Sequence, residues 1–330
     1  MTIQDIAQKL VADKKGLLAA DERNSSMEKR FAFYHIENNE ENRRVYRELL
    51  FSTSGIEQYV SGVIMYDETI RQRADDGHTF VTMLEQKGII PGIKVDEGTV
   101  PFDDNGEVIT QGLDGLGDRL QEYKNMGAQF TKWRAVIRIG NGLPTEENII
   151  KNAELLAQYA KMVQDVAMVP IVEPEVLMEG DHDIDRCFDV SKKVLTIVFE
   201  QLKKYNVALD GILLKPNMVM PGIDGPHDAS AQDIAEKTVT CFKDVVPATV
   251  PGIVFLSGGQ SEDDAAEHLA YMENMYQDLP WELTFSFGRA LQNSALQVWN
   301  GSSENVAYAQ EVFLSRLEAI HVSARGNIAL

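Results

Sequence analysis

The chain has 330 residues, 44% apolar and 25% charged, the balance of a globular protein long enough to bury a substantial core. Acidic residues outnumber basic ones 51 to 31, a formal charge of −20, so the basic footprint of a nucleic-acid binder is missing. Two distant cysteines, Cys187 and Cys241, make no disulfide framework and read as reduced, half-buried thiols. No run of 18 apolar residues offers a membrane span, and the acid-bearing N-terminus has no signal-peptide core, so a cytoplasmic protein is expected.

A helix without an evident cap is predicted over 3–13, ahead of a first strand, GLLAAD, ending at Asp21. Seven further strand-like runs follow, at 61–68, 88–98, 130–140, 168–177, 211–219, 252–259 and 283–289. Helical patterns separate them. Thr145, followed by Glu146 and Glu147, suits a helix N-terminus, and Ser230 with Asp233 and Ser261 with Asp264 have the spacing of capping residues. Gly88 and Gly127 stand where left-handed C-caps are expected. GLDGLGD (112–118) reads as a turn into a helix, and GDHDID (180–185) as an acidic turn before one. Eight strands alternating with helices, with no linker or repeat, predict a single (β/α)8 TIM barrel over 1–330. Residues 1–14 would form its N-terminal helix and 304–330 a C-terminal helix and short tail. A doubly wound sheet would carry a glycine-rich loop after the first strand, and AADERNSS is not one.

Barrel enzymes work at the C-terminal mouth of their strands. Asp21 ends the first run, and Lys94 and Asp96 lie late in the third. Lys132 and Arg134 share a face of the fourth, Glu173 and Glu175 of the fifth, and Lys215 and Asn217 of the sixth. Ser257 closes the seventh, before Gly258 and Gly259, and Ser286, Gly288 and Arg289 close the eighth. Apolar flanks would bury these groups at a cost unless they paired.

Lys215 interrupts an apolar run and is the candidate nucleophile. Loss of solvent and neighbouring cations favour the neutral amine, the form that attacks a carbonyl to make an imine. Glu173 is placed to supply a proton at the imine nitrogen, and Asp21 to take one from a hydroxyl as a carbon–carbon bond breaks. The loops SGGQ and SFGR, after the last two strands, offer amides and the Arg289 guanidinium to a phosphate. Further cations, Lys29, Arg30 and Lys94, suggest a second phosphate on the same ligand. The residues alone therefore indicate a Schiff-base lyase acting on a phosphorylated carbonyl compound.

At these residues the chain resembles class I fructose-bisphosphate aldolase. The likeness extends from about 8 to 320 and rests on ordered segments that include KGLLAADE, GIKVDEG, KWRAVIRIG, PIVEPE, LLKPNMVMPG, FLSGGQSE and TFSFGRALQNSAL. It implies reversible cleavage of fructose 1,6-bisphosphate to dihydroxyacetone phosphate and glyceraldehyde 3-phosphate, with no metal and no cofactor, by a homotetramer. Lys215 matches the imine-forming lysine and Glu173 the proton-transferring glutamate. Asp21, Lys132, Arg134 and Glu175 match the surrounding catalytic set. Ser257, Gly258, Gly259, Ser286, Gly288 and Arg289 match the carbon-1 phosphate site; Ser26, Lys29, Arg30 and Lys94 match groups near the carbon-6 phosphate.

Three departures stand out. Arg23 and Ser25 replace the Ser and Gly of animal-type members, and Arg23 is expected to add a cation near the carbon-6 phosphate. Phe287 stands where Tyr is common. The tail, ARGNIAL, lacks the terminal tyrosine that assists proton exchange in many members. Other Schiff-base barrels are the nearest alternatives, a sedoheptulose-bisphosphate aldolase or a transaldolase, though two phosphate sites disfavour the latter. A metal-dependent aldolase has only six scattered histidines to draw on. A non-catalytic sensor or scaffold would typically lack a catalytic group, and here none is missing.

Overall fold

Ten strands form along the chain in a computed structural model that describes residues 1–327. They are β1 (Gly16–Ala20), β2 (Val60–Met65), β3 (Ile90–Lys94), β4 (Thr99–Pro101), β5 (Val108–Thr110), β6 (Phe130–Ile137), β7 (Val169–Val176), β8 (Leu213–Leu214), β9 (Gly252–Phe255) and β10 (Glu282–Phe287). Eight of them close a parallel barrel in the order β1-β2-β3-β6-β7-β8-β9-β10, with β10 pairing back onto β1. Both faces of each strand are covered, by helices outside and side chains inside. This is why these strands read as continuous apolar runs rather than as alternating patterns. The fold is thus the predicted TIM barrel. Among the described residues no helix is long and apolar enough to cross a membrane.

The caps act as the spacings indicate. Thr145 opens helix Glu146–Asp165 by accepting from the Asn148 amide, Ser261 opens Glu262–Met275, and Ser230 forms a capping box with Asp233. Gly88 (φ 73°) and Gly127 (φ 108°) take the left-handed backbone expected of them. Asp183 caps Ile184–Lys204, and Gly115 starts Leu116–Asn125. Helix Ile3–Val11 is not capless: Thr2 and Asp5 form a reciprocal box at its start.

Two other expectations need correction, and one element has no counterpart among the expected ones. The sixth barrel strand pairs only at Leu213–Leu214, not over 211–219. Pro216 has no amide to continue the ladder and restricts the residue before it. Beyond it Asn217 turns from the mouth, accepting from the Val176 amide (2.9 Å) and donating to the Met218 carbonyl (3.0 Å). The hairpin β4–β5 was not foreseen, although Asn105-Gly106 between its strands is a turn signal. The two cysteines are free and fully buried rather than half-buried. Helix Val306–Ser323 carries the exposed Tyr308, and positions 328–330 of the expected tail lie outside the described residues.

The N-terminal helix plugs the bottom of the barrel. Ile6, Ala7, Leu10 and Val11 join Leu17, Ile64, Phe130, Leu213 and Val254 in one buried cluster. Glycines on the strands make the room. A Cβ on Gly62 would come within 2.7 Å of Leu10, one on Gly252 within 2.6 Å of Val11, and one on Gly92 within 2.3 Å of the Phe130 ring. Among the described residues this end is packed shut, and the opposite end holds the cavities described below.

Gly92→Ala should therefore cost roughly 1–3 kcal/mol through overpacking, measured by urea denaturation. Adding Phe130→Leu to Gly92→Ala should recover part of that loss. An equal loss in the single and double variants would show that the strand does not depend on this contact.

Candidate active site

Five strand ends deliver charged side chains to the open mouth. On β6, Lys132 and Arg134 face inward because residues two apart share a face. Neighbouring β7 places Glu173 opposite Arg134 and Glu175 opposite Val136. Lys94, at the end of β3, lies opposite Lys132. Lys215 follows β8 directly and is held by its amide, which donates to the Val172 carbonyl at 2.8 Å.

The charges interlock. Lys132 Nζ stands 2.7 Å from Asp21 Oδ2 and 3.0 Å from Glu173 Oε2. Lys215 Nζ stands 3.2 Å from Glu173 Oε1, so one carboxylate touches two ammonium groups. All four side chains are buried. Arg134 pairs with Glu175 at the rim of this cluster. Burial works against the Asp21 carboxylate, but Lys132 and Lys215 outweigh it and hold its pKa at about 2. Burial likewise opposes the Lys132 charge, and Asp21 and Glu173 reverse it, so Lys132 titrates above the ordinary lysine range. Lys94 goes the other way. Its desolvation exceeds the help from Asp96, which it meets at 2.5 Å, and its pKa falls.

Two adjoining cavities open onto the cluster. The first, about 390 Å³, is lined by Asp21, Arg134, Glu173, Glu175 and Lys215 and extends to Ser257, Gly258, Ser286, Gly288 and Arg289. There Ser286 presents a buried hydroxyl with no hydrogen-bond partner among the described residues. Gly288 stands at the N-terminus of helix Arg289–Trp299, where free amides favour an anion. Gly259 stands at the edge, where an added Cβ would lie 3.8 Å from Arg289 Nη2. The second cavity, about 370 Å³, holds Arg23, Ser25, Ser26, Lys94, Lys132 and Arg134 with Asp96 and Thr99.

Apart from Asn217, which turns away, and Gly259, which lines neither cavity, the residues singled out for the site reach the mouth, but the set matched to the carbon-6 phosphate divides. Lys29 and Arg30 line the first cavity, Lys94 and Arg23 the second, and Ser26 borders both. The Arg23 guanidinium lies over Gly98, where any Cβ would approach within 2.1 Å, and pairs with Asp96 at 3.5 Å. Phe287 is buried against Phe285 and presents nothing to the cavity.

The sequence reading missed a supporting layer. Glu22 bridges Arg30 and the buried Arg47. Burial alone would raise the Glu22 pKa; Arg47 and Arg30 bring it below the usual range. Gln292 donates to the Ala19 carbonyl (2.7 Å) and accepts from Arg30 (3.0 Å), tying β1 to the first cavity. A signal existed for each: Arg47 and Gln292 are polar residues on otherwise apolar helix faces.

The family model described as glycolytic fructose-bisphosphate aldolase class-I matches residues 2–329. Fructose-bisphosphate aldolase C of Carassius auratus is 50% identical over 327 residues, which span 98% of this chain and 90% of that protein. Cytosolic fructose-bisphosphate aldolase 5 of Arabidopsis thaliana is 52% identical over 311 residues, 94% of this chain and 87% of that protein. The solved structure of fructose-bisphosphate aldolase from Plasmodium falciparum, in complex with TRAP and a small-molecule inhibitor, superposes with a TM-score of 0.97. It is 46% identical, and the match covers 99% of this chain and 95% of that one.

A carboxylate whose folded pKa is depressed stabilises the fold above its unfolded value, and that contribution fades as pH falls through the folded value. Asp21→Asn should therefore lower the denaturation midpoint at neutral pH. The gap to the unaltered protein should narrow as pH drops from 3.8 toward about 2. A gap constant across that window would show that the Asp21 charge adds no net stability.

Proposed function

The chain belongs to the class-I fructose-bisphosphate aldolase family, whose reaction is the reversible aldol cleavage of fructose 1,6-bisphosphate, and we infer that it runs this reaction through an imine on Lys215. The observation that carries the reading is the 3.2 Å contact between Lys215 Nζ and Glu173 Oε1 inside a buried charge cluster. Lys215 first gives a proton to Glu173 across their 3.2 Å contact and, as the neutral amine, adds to carbon 2 of the open-chain ketose. Glu173 returns that proton to the carbinolamine hydroxyl, which leaves as water, so a protonated imine remains and Glu173 is a carboxylate again. A carboxylate then takes the carbon-4 hydroxyl proton, the bond between carbons 3 and 4 breaks, and its electrons move into the imine to give an enamine. Asp21 takes that role, and for the step Lys132 must release it toward the substrate, because a carboxylate held at about 2 is a weak base. Arg134 and Glu175 order the wall beside the reacting carbons.

In this reading, Ser257, Gly258, Gly259, Ser286, Gly288 and Arg289 receive the carbon-1 phosphate. The orphaned Ser286 hydroxyl and the helix N-terminus behind Gly288 support it. Ser26, Lys29, Arg30, Lys94 and Arg23 offer charge to the carbon-6 phosphate from the two cavities. A cytoplasmic location, for which the cytosolic relative is the support, and a homotetrameric assembly, which rests on the family resemblance, complete the reading.

Borohydride reduction with dihydroxyacetone phosphate should trap the substrate on Lys215, and Lys215→Ala should abolish trapping; a label on Lys132 or Lys94 would overturn the assignment. Glu173→Gln should lower kcat by about 10²–10⁴-fold, whereas Arg289→Ala should chiefly raise KM.

Arg23→Ser should raise KM for the bisphosphate more than for fructose 1-phosphate, which has no carbon-6 phosphate to lose. Equal changes for both substrates would place Arg23 outside that contact.

A further inference from the structure

The loop after β9 meets the first cavity almost without side chains. Ser257 and Gly258 line it, and Gly258 (φ 60°) and Gly259 (φ 101°) give the loop a left-handed backbone. Glycines bring a peptide chain close to a ligand but do little to fix it there, because they carry the largest conformational freedom. Something else must hold this loop. The next residue, Gln260, closes the turn by donating its amide to the Ser257 carbonyl at 2.9 Å. Its side chain points away from the cavity into the protein and is buried. There Gln260 Oε1 lies 2.7 Å from Nδ1 of His268, a buried residue on helix Glu262–Met275.

With Gln260 Oε1 facing the ring, the amide oxygen accepts and Nδ1, in the tautomer that carries the proton there, donates. Burial brings the His268 pKa down to about 4, so the ring is neutral in ordinary conditions and adds no charge behind a phosphate site. A buried amide oxygen left without its donor would cost free energy, and the loop would then be free to move to recover a partner.

We propose that His268 is a positioning residue: it fixes Gln260, and through Gln260 it fixes the Ser257–Gly259 peptides against the substrate's carbon-1 phosphate. The helix that carries His268 thereby supplies rigidity that the glycines cannot. This inference rests on the reading of that loop as the carbon-1 phosphate site, so the test must separate the two.

Fructose 1-phosphate is the probe, since it carries only that phosphate. His268→Ala should raise its KM about 3–10-fold, the size of one hydrogen bond's net contribution, with kcat nearly unchanged. His268→Asn, whose side-chain amide can also donate, should recover most of the loss. Gln260→Met should reproduce the KM shift, and the double variant His268→Ala/Gln260→Met should be no worse than either single one, because both remove the same contact. If His268→Ala fails to fold, Gln260→Met carries the test with the histidine intact. Unchanged KM in both variants, or losses that simply add, would overturn the proposal. Ser257→Ala is the control for the underlying reading. If it too leaves KM unchanged, the phosphate assignment has failed; if it raises KM while the His268 and Gln260 variants do not, only the positioning role has failed.

Discussion

One carboxylate shared between two ammonium groups is the constraint around which this molecule is arranged. Glu173 meets Lys132 with one oxygen and Lys215 with the other, deep in the barrel mouth. Each buried charge would cost several kcal/mol if left alone, so strands β1, β6 and β7 and the segment after β8 must end within hydrogen-bond reach of each other. The partnership is unequal. Lys132 has a second carboxylate, Asp21, and Lys215 has none among the described residues. The lysine with two partners is anchored as a charge. The lysine with one is the more easily released to a substrate, which supports reading Lys215 as the nucleophile.

The two ends of the barrel use opposite chemistry for this reason. The lower end is apolar and filled, with glycines on β2, β3 and β9 allowing helix and ring atoms to lie directly on the strand backbones. The upper end keeps its polar groups in open cavities, where they spend favourable packing in exchange for reactivity. Close packing makes the lower end rigid. The supporting layer of Glu22, Arg47 and Gln292 extends that rigidity upward behind the ligand-facing residues.

The barrel itself was legible in the sequence, because a doubly covered strand must be apolar throughout and the eight runs stand out. So were the charged strand ends, since Lys215 in an apolar run has no bland packing role. The strand limits were harder to read. Pro216 ends the β8 ladder early, and that is a hydrogen-bonding fact which hydrophobicity does not record. Arg47 and Gln292 escaped notice because each looks like a surface residue until its helix face is known. The division between two cavities of the cations matched to the carbon-6 phosphate depends on side-chain direction. Arg30 is drawn back to Glu22 and Gln292, whereas Arg23 lies across Gly98, and no spacing rule distinguishes them.

The pairing of β10 with β1 has a consequence for how the chain is made. During synthesis the helix that plugs the barrel emerges before any barrel strand, and the strand that seals it, Glu282–Phe287, emerges last of the eight. Until then β1 and β9 are open edges, and the apolar ring around Leu10 and Phe130 has no complete wall. Such edges pair readily with other chains. The nascent protein is therefore most exposed to aggregation just before Glu282–Phe287 emerges, and closure at that moment protects the plug, the barrel and the lysine cluster together.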